Sequence, residues 1–171
     1  MARIRTSDAA RMADPSRANV TRGAMVGASS ALIMIMVFMI VSAATGSGFF
    51  TPINLIGATY LGSGFGALPV WSAVLGFFTH LAVGAAFGTL FVAMARNISA
   101  PGVKLAAGLA FGAAVYLFMT FLVLPWADPI MYDAVDKGLW FLLHLLYGAV
   151  LPFALPHARS EASERRRHAV T

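Results

Sequence analysis

No acidic or basic residue occurs between Arg22 and Arg96, between Lys104 and Asp128, or between Lys137 and Arg159. An ordinary soluble domain is about 25% charged, and one soluble core could not hide uncharged runs this long. Here charged residues make up 11% of a 171-residue chain, and hydrophobic residues 59%. A helix needs about 20 apolar residues to cross a bilayer, and the runs supply that length repeatedly.

The sequence predicts an all-α polytopic membrane protein, a bundle of four transmembrane helices occupying residues 23–157. Its spans lie at about 24–44, 70–94, 103–124 and 138–155. Residues 1–22 read as a disordered cytoplasmic tail and residues 158–171 as a basic cytoplasmic tail. A secretory signal would have an apolar region of about 7–15 residues, and the first span is longer. Residues 45–70 are uncharged but rich in Gly, Pro, Ser and Thr, which makes them a poor span. Thr51-Pro52 has the form of a helix start, Thr as N-cap and Pro at the first helical position. A short interfacial helix is therefore expected over about 52–61, ended by Gly62-Ser63-Gly64-Phe65-Gly66. Pro125 is expected to stop the third span.

Lys and Arg concentrate in cytoplasmic loops. All but one of the 12 basic residues fall on the side of the chain termini; Lys137 is the exception. Both termini are thus expected in the cytoplasm. Trp71, Trp126 and Trp140 then form an aromatic belt at the outer interface. The basic residues flank the spans, so the net charge of +5 reads as an orientation signal rather than a nucleic-acid surface. Arg165-Arg166-Arg167 would attract anionic lipid at about 1 kcal/mol per residue. Asp128, Asp133 and Asp136 read as a solvated acidic loop, with a divalent-cation site as the alternative.

Small residues four apart let membrane helices approach closely. Gly23/Gly27, Gly84/Gly88 and Gly108/Gly112 all fall in the cytoplasmic halves of their spans. The outer halves carry Phe38, Phe77, Phe78, Tyr116, Phe118 and Phe121. The bundle should be tight at its cytoplasmic end, and any cavity should open outward.

His80-Leu81-Ala82-Val83-Gly84-Ala85 aligns with His144-Leu145-Leu146-Tyr147-Gly148-Ala149, and Val37-Phe38-Met39 aligns loosely with Leu117-Phe118-Met119. The pattern suggests two duplicated hairpins related by an axis along the membrane normal. At 1.5 Å per residue, His80 lies roughly 15 Å and His144 roughly 10 Å from the outer ends of their spans. Thr79, Tyr116, Thr120 and Tyr147 lie at similar depth and are the candidate cavity-lining residues. Ionisable groups at membrane depth mark functional hypotheses. Three readings are open for the two histidines: neutral packing groups, axial ligands of a haem b, or members of a proton, metal or small-ligand path. No residue is assigned as a catalytic group or as a dedicated metal ligand.

With no cysteine in the chain, disulfides, iron–sulfur clusters and thiolate sites are excluded. Gly46-Ser47-Gly48 and Gly62-Ser63-Gly64 lack the strand–turn–helix setting of a nucleophile elbow, and no phosphate-cradling loop occurs. An enzyme is not expected. His157 and His168 lie at or beyond the membrane edge and have no assigned role.

The stretch Pro52-Ile53-Asn54-Leu55-Ile56-Gly57-Ala58, with Leu61-Gly62 and a His-bearing second span, resembles a group of small bacterial four-span membrane proteins of unknown function. The resemblance covers about residues 24–156. It implies a bacterial inner-membrane location and carries over no site residue. The leading expectation is a non-enzymatic accessory or structural subunit in contact with the bilayer and with a larger membrane complex or a second copy. The alternatives are a haem-b electron carrier using His80 and His144, and a small homo-oligomeric transporter or channel.

Overall fold

The computed structural model describes residues 15–155 and is helical almost throughout. The elements are α1 (Pro15–Ala44), α2 (Thr51–Leu61), a 3-10 turn (Gly62–Gly66), α3 (Pro69–Ala95) and α4 (Pro101–Phe118). A π-helical turn follows (Met119–Val123), then α5 (Leu124–Ala127), α6 (Pro129–Ala134), α7 (Lys137–Val150) and a closing 3-10 turn (Leu151–Ala154). Four helices are long and apolar enough to cross a membrane: Ala18–Ala44, Pro69–Ala95, Pro101–Ala127 and Lys137–Ala154. Their outward faces carry large apolar side chains, including Phe78 at 66% exposure and Leu122 at 64%. Apolar surface on that scale is not left in water; lipid covers it.

Antiparallel packing puts the described termini at one end of the bundle and α2, α5 and α6 at the other, the loop end. The helices pair as α1 with α3 and α4 with α7, and glycine backbones make both seams. A Cβ on Gly27 would overlap the Gly84 carbonyl and meet Gly88 Cα at 2.8 Å. A Cβ on Gly108 would overlap the Gly148 carbonyl and meet Pro152 Cγ at 2.9 Å. The two seams are thus one contact made twice, with Pro152 standing where Gly88 stands in the first. The shift that carries Gly84 to Gly148 also carries His80 to His144. In the other pair, packing makes Gly108 the counterpart of Gly27, one residue beyond the register that Val37 against Leu117 implies. Both seams lie toward the terminal end, as the small-residue pairs predicted. Between α3 and α4 the terminal half is filled by rings, Phe87 and Phe91 against Phe111 at 6.4 and 5.4 Å.

Several local expectations are corrected. Residues 15–22 are not disordered; α1 already runs through them. Residues 1–14 and 156–171, which hold the rest of both expected tails, lie outside the described residues. Thr51 is not the N-cap of α2. It is the first helical residue, and its hydroxyl donates back to the Ser47 carbonyl, leaving Phe50 as a cap without a side-chain bond. The expected short helix does form, and it packs into the bundle. Pro52, Ile53, Leu55, Ile56, Gly57 and Ala58 are buried, and Gly57 and Gly76 bring the backbones of α2 and α3 into contact. Ser72 donates to the Asn54 carbonyl at 2.7 Å and fixes that crossing.

Pro125 does not stop the third span. Its ring would clash with the carbonyl four residues back in a regular helix. The π turn just before it widens the helix, with Leu124 N–H reaching the Met119 carbonyl, and the chain continues helically to Ala127. Of the three tryptophans, Trp71 and Trp126 are exposed, but Trp140 is buried against Phe38 and His144 and does not belong to a surface belt. Asp128 is likewise not solvated. It is 2% exposed, caps α6 by accepting from Met131 N–H at 3.0 Å, and accepts from the Thr59 hydroxyl at 2.8 Å. Asp133 and Asp136 are exposed, and Asp136 caps α7 by accepting from Leu139 N–H.

Candidate functional site

His80 and His144 face one inner cavity of about 60 Å³ between the two helix pairs. Its wall includes Ala31 and Met34 from α1, Val83 and Phe87 from α3, Val115 and Met119 from the third span, and Trp140 and Tyr147 from α7. A second cavity of about 190 Å³ adjoins it on the loop side. His80, Val83, Met119 and Trp140 line both. The outer cavity continues past Thr79, Met131 and Asp128 to Thr59, which is exposed. The two cavities, mostly apolar with a few inward polar groups, are therefore approached from the loop end, and the glycine seams lie toward the opposite end.

Each imidazole has one nitrogen committed. His80 donates Nε2–H to the Ala31 carbonyl at 3.0 Å, and His144 donates Nδ1–H to the Trp140 carbonyl at 2.8 Å. A carbonyl only accepts, so the bonded nitrogen of each ring carries a proton, and as neutral imidazoles the two rings are of opposite tautomer. Nδ1 of His80 and Nε2 of His144 keep free lone pairs with no protein donor. His144 is held by rings on two sides, Trp140 at 4.6 Å and Tyr116 at 5.7 Å between centroids. Tyr147 donates to the Gly84 carbonyl at 2.7 Å, tying α7 to α3 just below the histidines. The indole N–H of Trp140 is buried without a partner. Buried donors are rarely orphaned unless water or a ligand completes them. A space of 60 Å³ exceeds the ~10–15 Å³ that a single water needs.

Of the residues singled out by depth, Tyr147 lines the inner cavity and Thr79 the outer one, where Thr79 also shares a 2.7 Å hydrogen bond with Tyr60. Tyr116 and Thr120 do not line these two cavities. Tyr116 stands behind His144 in a cluster with Phe121 and Phe141. Thr120 is fully buried in the π turn, its hydroxyl unpartnered. Trp140, Met34 and Met119 are the site residues that depth and charge patterns did not pick out, and Asp128 was singled out only as part of an acidic loop. Trp140 could have been found one helical turn before His144, on the same face.

The arrangement does not fit a haem. Ligand pockets run to about 300–1,000 Å³, and the space between the imidazoles is about 60 Å³. His80 has its Nε2, the usual axial donor, bonded to a backbone carbonyl. Among the described residues no cluster of three or more His, Cys, Asp or Glu is placed to hold a metal.

No protein-family model matches the chain. Neither curated proteins nor solved structures give a match.

Proposed function

We propose that the protein is a non-enzymatic bacterial inner-membrane protein that holds a small ligand in the cavity between its two helix pairs. Its termini are cytoplasmic, and the cavity is reached from the outer side. The observation that carries the reading is the run of two adjoining cavities from Asp128 and Thr59 inward to His80 and His144, ending where the glycine seams begin. Orientation is supported by the bias of Lys and Arg toward the terminal end. Location is supported by the resemblance to small bacterial four-span proteins. Free imidazole lone pairs and an unpartnered indole N–H beside empty space are what a binding site needs and what a packed core avoids.

Substituted-cysteine labelling tests this reading, because the native chain has no cysteine to remove. Thr79→Cys and Val83→Cys should react with a small charged methanethiosulfonate added outside intact cells or right-side-out vesicles. Ala95→Cys, buried at the terminal end of α3, should not. Labelling of Val83→Cys from the cytoplasmic side alone, or from neither side, would overturn the reading.

A further inference from the structure

The inner cavity brings two thioethers and two imidazoles to one space: Met34, Met119, His80 and His144. These residues come from four different helical segments, α1, α3, the π turn and α7. We propose that this cavity is a Cu(I) site, with His80 Nδ1, His144 Nε2 and the sulfurs of Met34 and Met119 as donors. The assignment rests on reading the cavity as a ligand site and names its ligand.

Imidazoles that bind metals almost always donate their other ring N–H to a carboxylate, a carbonyl or water, which sets the tautomer and aims the free lone pair. Both histidines already have that arrangement, through Ala31 and Trp140. The aromatic contacts of Trp140 and Tyr116 hold the His144 ring in place. Met119 sits in the π turn, and single π turns inside helices occur frequently at functional sites. Each Met has three rotatable bonds, so the thioethers can close on an ion without backbone movement.

The choice of ion follows from softness and charge. Thioethers select Cu(I) among first-row metals. The inner cavity has no carboxylate, so a divalent ion would leave two uncompensated charges at membrane depth, where a single charge is already costly. A monovalent soft ion leaves one, spread over polarisable sulfur. Ca(II) and Mg(II) want oxygen donors that the cavity does not supply, and Zn(II) would lack the third imidazole, carboxylate or thiolate that usually completes its site. Met131 and Asp128 line the outer cavity, so a soft donor and a carboxylate lie along the approach. Asp128 is the one buried acid among the described residues.

The experiment uses the full chain in detergent, stripped of metal and then given Cu(I) under ascorbate in competition with a chromogenic Cu(I) chelator. The expected result is one Cu(I) retained per chain, with both nitrogen and sulfur in its X-ray absorption shell. Met34→Leu and Met119→Leu should each weaken retention by about tenfold or more and reduce the sulfur signal; even outer-shell changes cost 10–100-fold. Met→Leu conserves volume, so these variants should stay monodisperse on gel filtration. A monodisperse wild-type protein that retains no Cu(I) would overturn the assignment. Full retention by the Met34→Leu/Met119→Leu double variant would do the same. If retention fails while Val83→Cys still labels from outside, only the ligand assignment falls. If both fail, the binding-site reading falls with it.

Discussion

Replacing Gly27 with alanine should loosen the α1–α3 pair, and the size of the effect can be worked from the contact. The new Cβ would overlap the Gly84 carbonyl and lie 2.8 Å from Gly88 Cα and 3.0 Å from Gly88 N. Every atom in the way is backbone, so no side chain can swing aside. To reach ordinary contact at 3.4 Å or more, the helices must move apart. A gap of about 0.5–1 Å forfeits roughly a quarter to a half of the dispersion energy along the seam. Overpacking of this kind costs about 1–3 kcal/mol. Gly102 is the internal control: it lies in the first turn of α4, and a Cβ there meets nothing within 4 Å. Gly102→Ala should be neutral or stabilising by up to about 1 kcal/mol, from helix propensity. Because the second seam repeats the first, Gly108→Ala should cost about as much as Gly27→Ala. Gly27 and Gly84 share one contact, so their double variant should cost less than the two singles added. Reversible unfolding in mixed detergent, followed by circular dichroism, measures all of these. Equal stability for Gly27→Ala and Gly102→Ala would refute the claim that backbone contact holds this pair together.

Thr120→Val should stabilise the protein by about 1 kcal/mol in the same unfolding assay, since it replaces a buried, unpartnered hydroxyl with a methyl group; a loss of stability would mean the hydroxyl has a partner. Asp128→Ala removes the cap of α6 and the acceptor of Thr59. It should lower stability by about 1–3 kcal/mol, while Asp128→Asn should recover much of that. Tyr147→Phe breaks the bond to the Gly84 carbonyl. Interhelical hydrogen bonds in membranes average about 0.6 kcal/mol, so a loss well above 2 kcal/mol would point to a larger role for this tyrosine.

The spans were legible because charge is excluded from them, and a run from Arg22 to Arg96 without a charge admits few other readings. Glycines spaced four apart pointed to two helix seams. Gly57, Gly76 and Gly148 were not picked out as close-contact glycines because none has a glycine four residues away; Pro152 completes the seam beside Gly148. Counting residues gave the depth of Tyr116 and Thr120 but not their face, which depends on how α4 rotates against α7. Trp140 illustrates the opposite error. Its position near a span end suggested an interface anchor, yet it lies on the His144 face of α7 and is buried with it. Asp128 was read from its loop as solvated, because its partner Thr59 is 69 positions away and no local pattern links them. The continuation past Pro125 depended on a π turn, which no residue-by-residue propensity foretells.

The account turns on a cavity that admits water or a ligand from the loop end, between two histidines of opposite tautomer. Water-edited solid-state NMR on histidine-labelled protein in lipid bilayers measures this directly. It should show water contact at both the His80 and His144 imidazoles, with the proton on Nε2 in His80 and on Nδ1 in His144, and no water at the Gly27 and Gly84 backbone. Dry imidazoles, or the same tautomer at both positions, would contradict it.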